Sequence, residues 1–113
     1  MPDYSPYLVK KRTVSLPTTT TVGYAYQLDG AAAFSFQISG LATETIGVAV
    51  TTDGGATWSS AVKPWDGVTG VLAAAATLAN GYYYFPPQMA VNGVQFTKSA
   101  TADTAAINWL AYF

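Results

Sequence analysis

Short runs of alternating apolar and polar residues, separated by turn-forming residues, recur along most of the chain. The clearest run is Phe34–Ser39, in which Phe34, Phe36 and Ile38 alternate with serines and a glutamine. Alternation with this period places one face of a β-strand in the core and the other in solvent. Turn signals at roughly ten-residue spacing are typical of a sandwich or barrel. Further strands are predicted at 24–28, 46–50, 81–85, 94–97 and 106–113.

One segment departs from this pattern. Residues 71–79 contain four consecutive alanines, and alanine is the strongest helix former. The pattern alone leaves a short helix and a strand both open for this segment. Elsewhere after residue 20 it predicts an all-β fold, a single antiparallel β-sandwich.

Residues 1–20 differ from the rest of the chain. They contain three prolines and the basic triplet Lys10-Lys11-Arg12, and the threonine run 18–21 begins at their end. Proline fixes φ and threonine is stiff at χ1, so both favour extended backbone. We therefore predict an extended N-terminal arm over residues 1–20, in which Thr13–Leu16 can pair as an edge strand, and a sandwich domain over residues 21–113.

The composition narrows the range of functions. The chain has 113 residues, enough for one core, and only 10% of them are charged, against roughly 25% in ordinary soluble proteins. A net charge of −1 provides no field that would attract nucleic acid or a membrane surface. The first residues lack a secretory signal pattern and no apolar run is long enough to span a bilayer. We expect a protein made in a cytoplasm, with neither nucleic acid nor membrane as a partner.

Candidate catalytic chemistry is sparse. The chain has no histidine and no cysteine, which removes the usual general base, the thiol nucleophile and most transition-metal ligands. Its six carboxylates are scattered singly, and three of them stand in Asp-Gly pairs, which favour tight turns. Loops can still bring two carboxylates together, as a glycosidase requires, but turn formation is the simpler interpretation. We predict no catalytic residues, no metal site and no cofactor.

One motif is more specific. Thr51–Trp58 reads TTDGGATW and resembles the Asp-box of sialidases and related propellers, S/T-x-D-x-G-x-T-W. The resemblance assigns Asp53, Thr57 and Trp58 a structural role, in which the polar side chains hold a hairpin turn and the indole packs beneath it. Sialidases carry several such boxes and an arginine cluster, whereas this chain has one box and a single arginine, Arg12. The motif therefore does not imply sialidase activity.

Aromatic residues make up 14% of the chain. Successive residues of a strand point to opposite faces, so half of the Tyr82-Tyr83-Tyr84-Phe85 run is expected outside the core. Tyrosine is common at interfaces. The candidate exposed contacts are Trp65, Tyr82, Tyr83 and Tyr84. An alternative is a platform for a glycan, with Trp58 and Trp65 stacking on sugar rings.

The order of these features resembles a group of small bacteriophage structural proteins. It comprises a strand ending in Leu16-Pro17-Thr18-Thr19, the Phe34–Ser39 strand, the DGG-x-TW turn, a Gly-Tyr strand at 81–85, GVQF-x-x-S at 93–99 and an apolar C-terminal strand. The resemblance implies a β-sandwich of jelly-roll or galactose-binding type, present in many copies on a virion. Members commonly carry an arginine where this chain has Gln95, so any contact made by that arginine is not carried over.

The resemblance gives the arm a role. Tyr4, Tyr7, Leu8 and Val9 would be apolar anchors across a subunit boundary, and Lys10, Lys11 and Arg12 would meet acidic shell residues. A solvated basic segment is the alternative interpretation of the triplet. The implied partners are the major capsid protein and copies of this chain in a homo-oligomer such as a trimer.

These observations predict a non-enzymatic virion protein that decorates or cements the capsid shell and is made in the host bacterial cytoplasm. Two alternatives stay open from the sequence. One is a component of the phage tail, neck or fibre, and the other is a carbohydrate-binding β-sandwich module.

Overall fold

The computed structural model describes residues 9–86 and 91–113, which form nine β-strands and no helix. The all-β class predicted from the alternating pattern is therefore confirmed. The strands are β1 Val9–Leu16, β2 Val22–Tyr26, β3 Ala33–Ser39, β4 Ile46–Thr51, β5 Trp65–Asp66, β6 Thr77–Leu78, β7 Gly81–Phe85, β8 Gly93–Lys98 and β9 Ala105–Tyr112.

The strands form two antiparallel sheets. Sheet 1 has the order β1-β9-β3-β7-β5, and sheet 2 has the order β2-β8-β4-β6. Successive strands alternate between the sheets, and the first and last strands pair with each other. Without the two-residue β5 at the edge of sheet 1, this is the strand order of a jelly roll, a double sheet built from two Greek keys.

The core lies between the two sheets, because each long strand turns its apolar positions inward. Phe36 of β3 and Phe96 of β8 meet edge to face across the gap, with ring centroids 5.1 Å apart. Trp109 of β9, a mid-strand residue, is buried beside Phe34. The largest other contributors are Leu16, Leu28, Ile38, Ile46, Val48, Leu78, Tyr83, Phe85, Val94 and Ile107.

Part of the predicted arm belongs to a sheet. Residues 9–16 form β1, which pairs with β9 over all eight positions, from Val9 opposite Tyr112 to Leu16 opposite Ala105. The strand is twice as long as the Thr13–Leu16 edge pairing predicted from the sequence. A sheet edge tolerates the Lys10–Arg12 charges, because edge strands can turn such side chains to solvent. The arm anchors Tyr4, Tyr7 and Leu8 lie outside the described residues.

Residues 71–79 do not form a helix. Thr77–Leu78 make the short strand β6, and Leu72 makes an isolated bridge to Trp65. The N–H of Ala73 donates to the carbonyl of Pro64 at 2.9 Å, and the Ala73 side chain is buried against the core. Small side chains let this segment pass close to the sandwich, and the tertiary contacts override alanine's helix preference.

Candidate interaction surfaces

The basic triplet divides between two environments. Lys10 turns toward the interior side of sheet 1, where its Nζ lies 5.5 Å from the centroid of the Phe113 ring and donates to the carbonyl of Gln27 at 3.2 Å. Lys11 and Arg12 are exposed, and an Arg12 guanidinium N–H donates to the carbonyl of Lys11. Lys11 and Arg12 are therefore the more exposed members of the triplet.

Three tyrosines border a groove on the outer face of sheet 1. Tyr84 of β7 lies opposite Ser35 of β3, and Tyr112 of β9 lies opposite Ala33 of β3. The small side chains of β3 therefore form a floor between taller aromatic walls, with Tyr82 on the same wall as Tyr84. The groove has a volume of about 300 Å³. We call it the tyrosine groove; its outer-face residues are Ala33, Ser35, Tyr82, Tyr84, Pro86 and Tyr112.

The four predicted aromatic contacts do not share one environment. Tyr82 is 45% exposed and Tyr84 is half-buried in the groove wall, but Tyr83 is only 7% exposed and faces the core. Its ring stacks on Phe36 at 5.6 Å, and its hydroxyl donates to the carbonyl of Ala79 at 2.9 Å. Burial raises the pKa of Tyr83, assisted by the charge of Asp66. Tyr83 is thus a core residue and not a contact, because strand alternation points it inward.

Trp65 begins a short exposed hairpin beside the groove. It pairs with Tyr84, so both side chains lie on the outer face of sheet 1. The Asp66 carboxylate accepts the N–H of Val68 at 2.8 Å and forms the turn expected of an Asp-Gly pair. Val68, at the tip, is 85% exposed, and Leu72 is also exposed. The hairpin thus presents apolar side chains to solvent.

The Thr51–Trp58 motif forms a turn held by its own side chains. The Asp53 carboxylate accepts the Thr51 hydroxyl at 2.8 Å and the Thr57 N–H at 2.9 Å, while the Thr51 hydroxyl oxygen accepts the Gly55 N–H at 3.0 Å. These hydrogen bonds, that from the Thr57 N–H above all, lower the pKa of Asp53 to about 2. Asp53 and Thr57 therefore hold the backbone of the turn, the role that the Asp-box resemblance implies.

Trp58 joins a cluster on the outer face of sheet 2. Its ring lies 5.8 Å from that of Tyr24, which in turn stacks on Tyr26 at 5.0 Å with an interplanar angle of 12°. The Gln95 amide donates to the Tyr24 hydroxyl at 3.2 Å. Tyr24 and Tyr26 are both exposed. We call Tyr24, Tyr26 and Trp58 the aromatic cluster; the Tyr-x-Tyr spacing in β2 placed both tyrosines on one face, but the sequence did not link them to Trp58.

Two carboxylates meet at one end of the sandwich. The Asp103 carboxylate accepts the N–H groups of Ala42, Thr43 and Glu44, each at 2.8 Å. The Glu44 carboxylate accepts the N–H groups of Ala102 and Asp103 in return. The backbone hydrogen bonds, led by that from Glu44, lower the pKa of Asp103. Both carboxylates thus hold loops, and both residues are buried.

Lys98 completes this arrangement, which we call the buried clasp (Glu44, Lys98 and Asp103). Only 2% of Lys98 is exposed, and its Nζ donates to the carbonyls of Leu16, Pro17 and Asp103. An ammonium has three protons, so each has an acceptor. The clasp ties the end of β1 to the loop between β8 and β9. No local pattern distinguishes Lys98 from a surface residue, because a lone lysine at a strand end is usually solvated.

The residues described by the structure contain no cluster of three or more acidic side chains that could hold a metal ion. In the same residues, no helix is long and apolar enough to cross a membrane.

Comparison with known proteins gives one structural match of note. The fold is similar to the crystal structure of the SPBc2 prophage-derived protein YomS, with a TM-score of 0.67 over 94% of this chain and 96% of that chain, at 14% sequence identity. No protein-family model and no curated protein sequence matches the chain. The two chains therefore share a jelly-roll-like fold over nearly their whole lengths.

Proposed function

We propose that this chain is a non-enzymatic structural protein of a bacteriophage particle, which decorates or cements the capsid shell by contacts with neighbouring subunits. The observation that carries the proposal is the concentration of exposed apolar side chains on the outer faces of both sheets and on the 65–72 hairpin. Tyr82 and Tyr112 border one groove and Tyr24 stacks on Tyr26, so these side chains form local patches, which are typical of protein interaction sites. Only 10% of the residues are charged, so few charges would have to be desolvated when these surfaces are covered by a partner.

The comparison supports a phage setting. A protein from a prophage shares this fold over almost the full length of both chains. A jelly roll without cysteine, whose strand β1 forms one edge of a sheet, also suits repetition on a lattice. The exposed charges Lys11 and Arg12 on the free edge β1 are suitable for contact with acidic shell residues.

The mechanism would be stabilisation by mass action. A protein that binds the assembled shell, and not its separated subunits, stabilises the shell in proportion to its occupancy. Individual contacts can be weak when they repeat over many lattice positions. The domain would act as a brace whose own rigidity comes from the sandwich core and the buried clasp.

The decisive measurement is the number of copies of this chain per purified particle, by quantitative mass spectrometry against the major shell protein. A ratio of one, or of a simple fraction such as one third, is expected for a decoration or cement protein. A count of a few copies per particle would place the chain in the tail, neck or fibre. Absence from the particle would overturn the proposal.

A second candidate function is carbohydrate binding at the aromatic cluster. The cluster adjoins a shallow groove of about 150 Å³, lined by uncharged residues that include Ala49, Gln95 and Thr97. Aromatic faces beside amide and hydroxyl groups suit neutral sugars, whose recognition needs apolar contact with a few oriented polar groups. Retention on immobilised bacterial glycans, lost in Trp58→Ala and kept in Trp65→Ala, would establish this function; no retention of the unaltered chain would remove it.

A further inference from the structure

The tyrosine groove has the size and chemistry of a peptide-binding site. Its walls are Tyr82 and Tyr84 on one side and Tyr112 on the other, and its floor is Ala33 and Ser35. Among the residues that the structure describes, all those that line the groove are uncharged. Tyr82 and Tyr112 are 45% and 41% exposed. The groove is therefore suited to a ligand that is apolar, extended and nearly uncharged.

Residues 1–8 of this chain match that requirement. They read Met-Pro-Asp-Tyr-Ser-Pro-Tyr-Leu, with Asp3 as the only charged side chain. Two prolines favour the polyproline II conformation, which leaves the backbone without internal hydrogen bonds. Grooves lined by aromatic side chains are the usual receptors for such segments. Tyr4, Tyr7 and Leu8 would supply the apolar side chains.

The position of residues 1–8 in the chain also suits binding to the groove of a second copy. The described strand β1 starts at Val9, which lies opposite Tyr112, and Tyr112 lies opposite Ala33. The segment thus leaves the sheet at the end where the groove opens. To enter its own groove, the chain would have to reverse directly after Val9 and cross β9. The same segment could enter the groove of a neighbouring copy without reversing its direction. Eight extended residues span at most about 28 Å, so the two copies would have to lie within that distance.

We propose that the tyrosine groove binds residues 1–8 of a second copy of this chain. The inference deepens the proposed function, since it names the partner of the N-terminal segment: copies joined in this way would form a network or a closed ring on the shell. It is tested on the purified chain in the absence of any particle. Failure of this inference would not change the expected copy number per particle. An unexpected copy number would likewise not change the expected self-association.

The test uses two full-length variants with complementary lesions. Tyr84→Ala removes a groove wall but keeps residues 1–8, while the double variant Tyr4→Ser/Tyr7→Ser removes the apolar side chains of the segment but keeps the groove. Sedimentation velocity is recorded over a wide concentration range for each variant, for the unaltered chain and for an equimolar mixture of the two variants. Tyr26→Ala, on the outer face of the other sheet, is the matched control.

The unaltered chain and Tyr26→Ala are expected to associate with rising concentration, and each groove or segment variant alone to associate at least about tenfold more weakly. The mixture is expected to form a one-to-one pair, because it holds one intact groove and one intact segment. Far-ultraviolet circular dichroism establishes that each variant is folded. If Tyr84→Ala unfolds, Ser35→Phe replaces it, because a phenylalanine at position 35 would fill the groove from its floor.

Two results would overturn the proposal. One is association of the variants with the same affinity as the unaltered chain, which would place the self-contact elsewhere. The other is an unaltered chain that stays monomeric at every concentration, which would mean that the groove holds its own N-terminal segment or a different ligand.

Discussion

Glu44 and Asp103 cap each other's backbone: the Asp103 carboxylate accepts the Glu44 N–H at 2.8 Å, and the Glu44 carboxylate accepts the Asp103 N–H at 3.0 Å. Glu44 lies between β3 and β4, and Asp103 lies between β8 and β9, so this pair joins two connections between the sheets. A sandwich without disulfides thus closes one of its ends with charge-assisted hydrogen bonds, which are among the stronger kinds. The buried ammonium of Lys98 extends the closure to the end of β1.

Lys98→Met tests the contribution of that ammonium to stability. Methionine fills much of the same space but leaves the carbonyls of Leu16, Pro17 and Asp103 without their donor. We expect the free energy of unfolding to fall by at least about 3 kcal/mol, since each of the three carbonyls left unsatisfied costs about 1–3 kcal/mol. Urea denaturation measures the change. Lys63→Met, at an exposed position, is the control and should stay within about 0.5 kcal/mol of the unaltered chain. Equal effects of the two substitutions would contradict the role assigned to Lys98.

Acid should destabilise the fold through Asp53 and Asp103. Hydrogen bonds lower the pKa of both carboxyls in the folded chain, to about 2 for Asp53, below the unfolded value of about 4. The folded state therefore binds fewer protons, so the stabilisation is complete above about pH 4 and is lost as the pH falls through the folded pKa values. Thermal unfolding between pH 7 and pH 2 measures this loss.

Asparagine variants identify the groups responsible for the acid dependence. Asp53→Asn and Asp103→Asn should each lower stability at pH 7 and flatten its decline toward pH 2, because the substituted group no longer titrates. Asp29→Asn, at another exposed Asp-Gly pair, should retain the full decline. An unchanged decline in both test variants would show that other groups set the acid dependence.

Much of the fold could be predicted from residue patterns alone. Period-two alternation identified the long strands and predicted that two residues of 82–85 would leave the core, since the direction of a side chain in a strand depends only on its parity. The start of β1 was harder to predict. Three consecutive charges at 10–12 are unusual in a strand, and they are tolerated here because β1 lies at a sheet edge. A local pattern cannot indicate which strand will have a free edge.

The buried clasp and the groove were beyond local patterns for a different reason. Glu44 and Asp103 are 59 residues apart, and nothing in either neighbourhood distinguishes them from surface carboxylates. Likewise, Tyr112 forms a wall of the tyrosine groove only because β9 and β7 flank β3. Such sites depend on strand order, and strand order in a jelly roll is set by contacts between distant segments.

Tyr83→Phe tests the division between core and surface within β7. The Tyr83 hydroxyl donates to the Ala79 carbonyl in a partly buried setting, so its removal should cost about 0.5–1.5 kcal/mol of unfolding free energy. Tyr84→Phe, one position along on the outer face, should cost less than about 0.5 kcal/mol. Chemical denaturation compares the two. A larger loss in Tyr84→Phe than in Tyr83→Phe would reverse the assignment of faces.

Gly23 of β2 lies against Val14 of β1, and a substitution there tests how firmly β1 is packed. A Cβ atom on Gly23 would lie 2.3 Å from Val14 Cγ1, so Gly23→Ala must displace the Val14 side chain or β1 itself. Overpacking of this kind costs about 1–3 kcal/mol, which denaturant unfolding would detect. Gly47→Ala is the matched control, because its nearest neighbour would be the Thr97 carbonyl oxygen at 3.9 Å, and little change is expected.

Removal of the opposing side chain distinguishes this contact from a general effect of alanine in β2. The double variant Gly23→Ala/Val14→Ala should lose less unfolding free energy than the sum of the two single substitutions. The shortened side chain at position 14 leaves space for the new methyl group at position 23. Strict additivity of the two losses would mean that Val14 does not oppose Gly23 in solution. In that case β1 would be packed less firmly against β2, and hydrogen exchange of the β1 amides would be correspondingly faster.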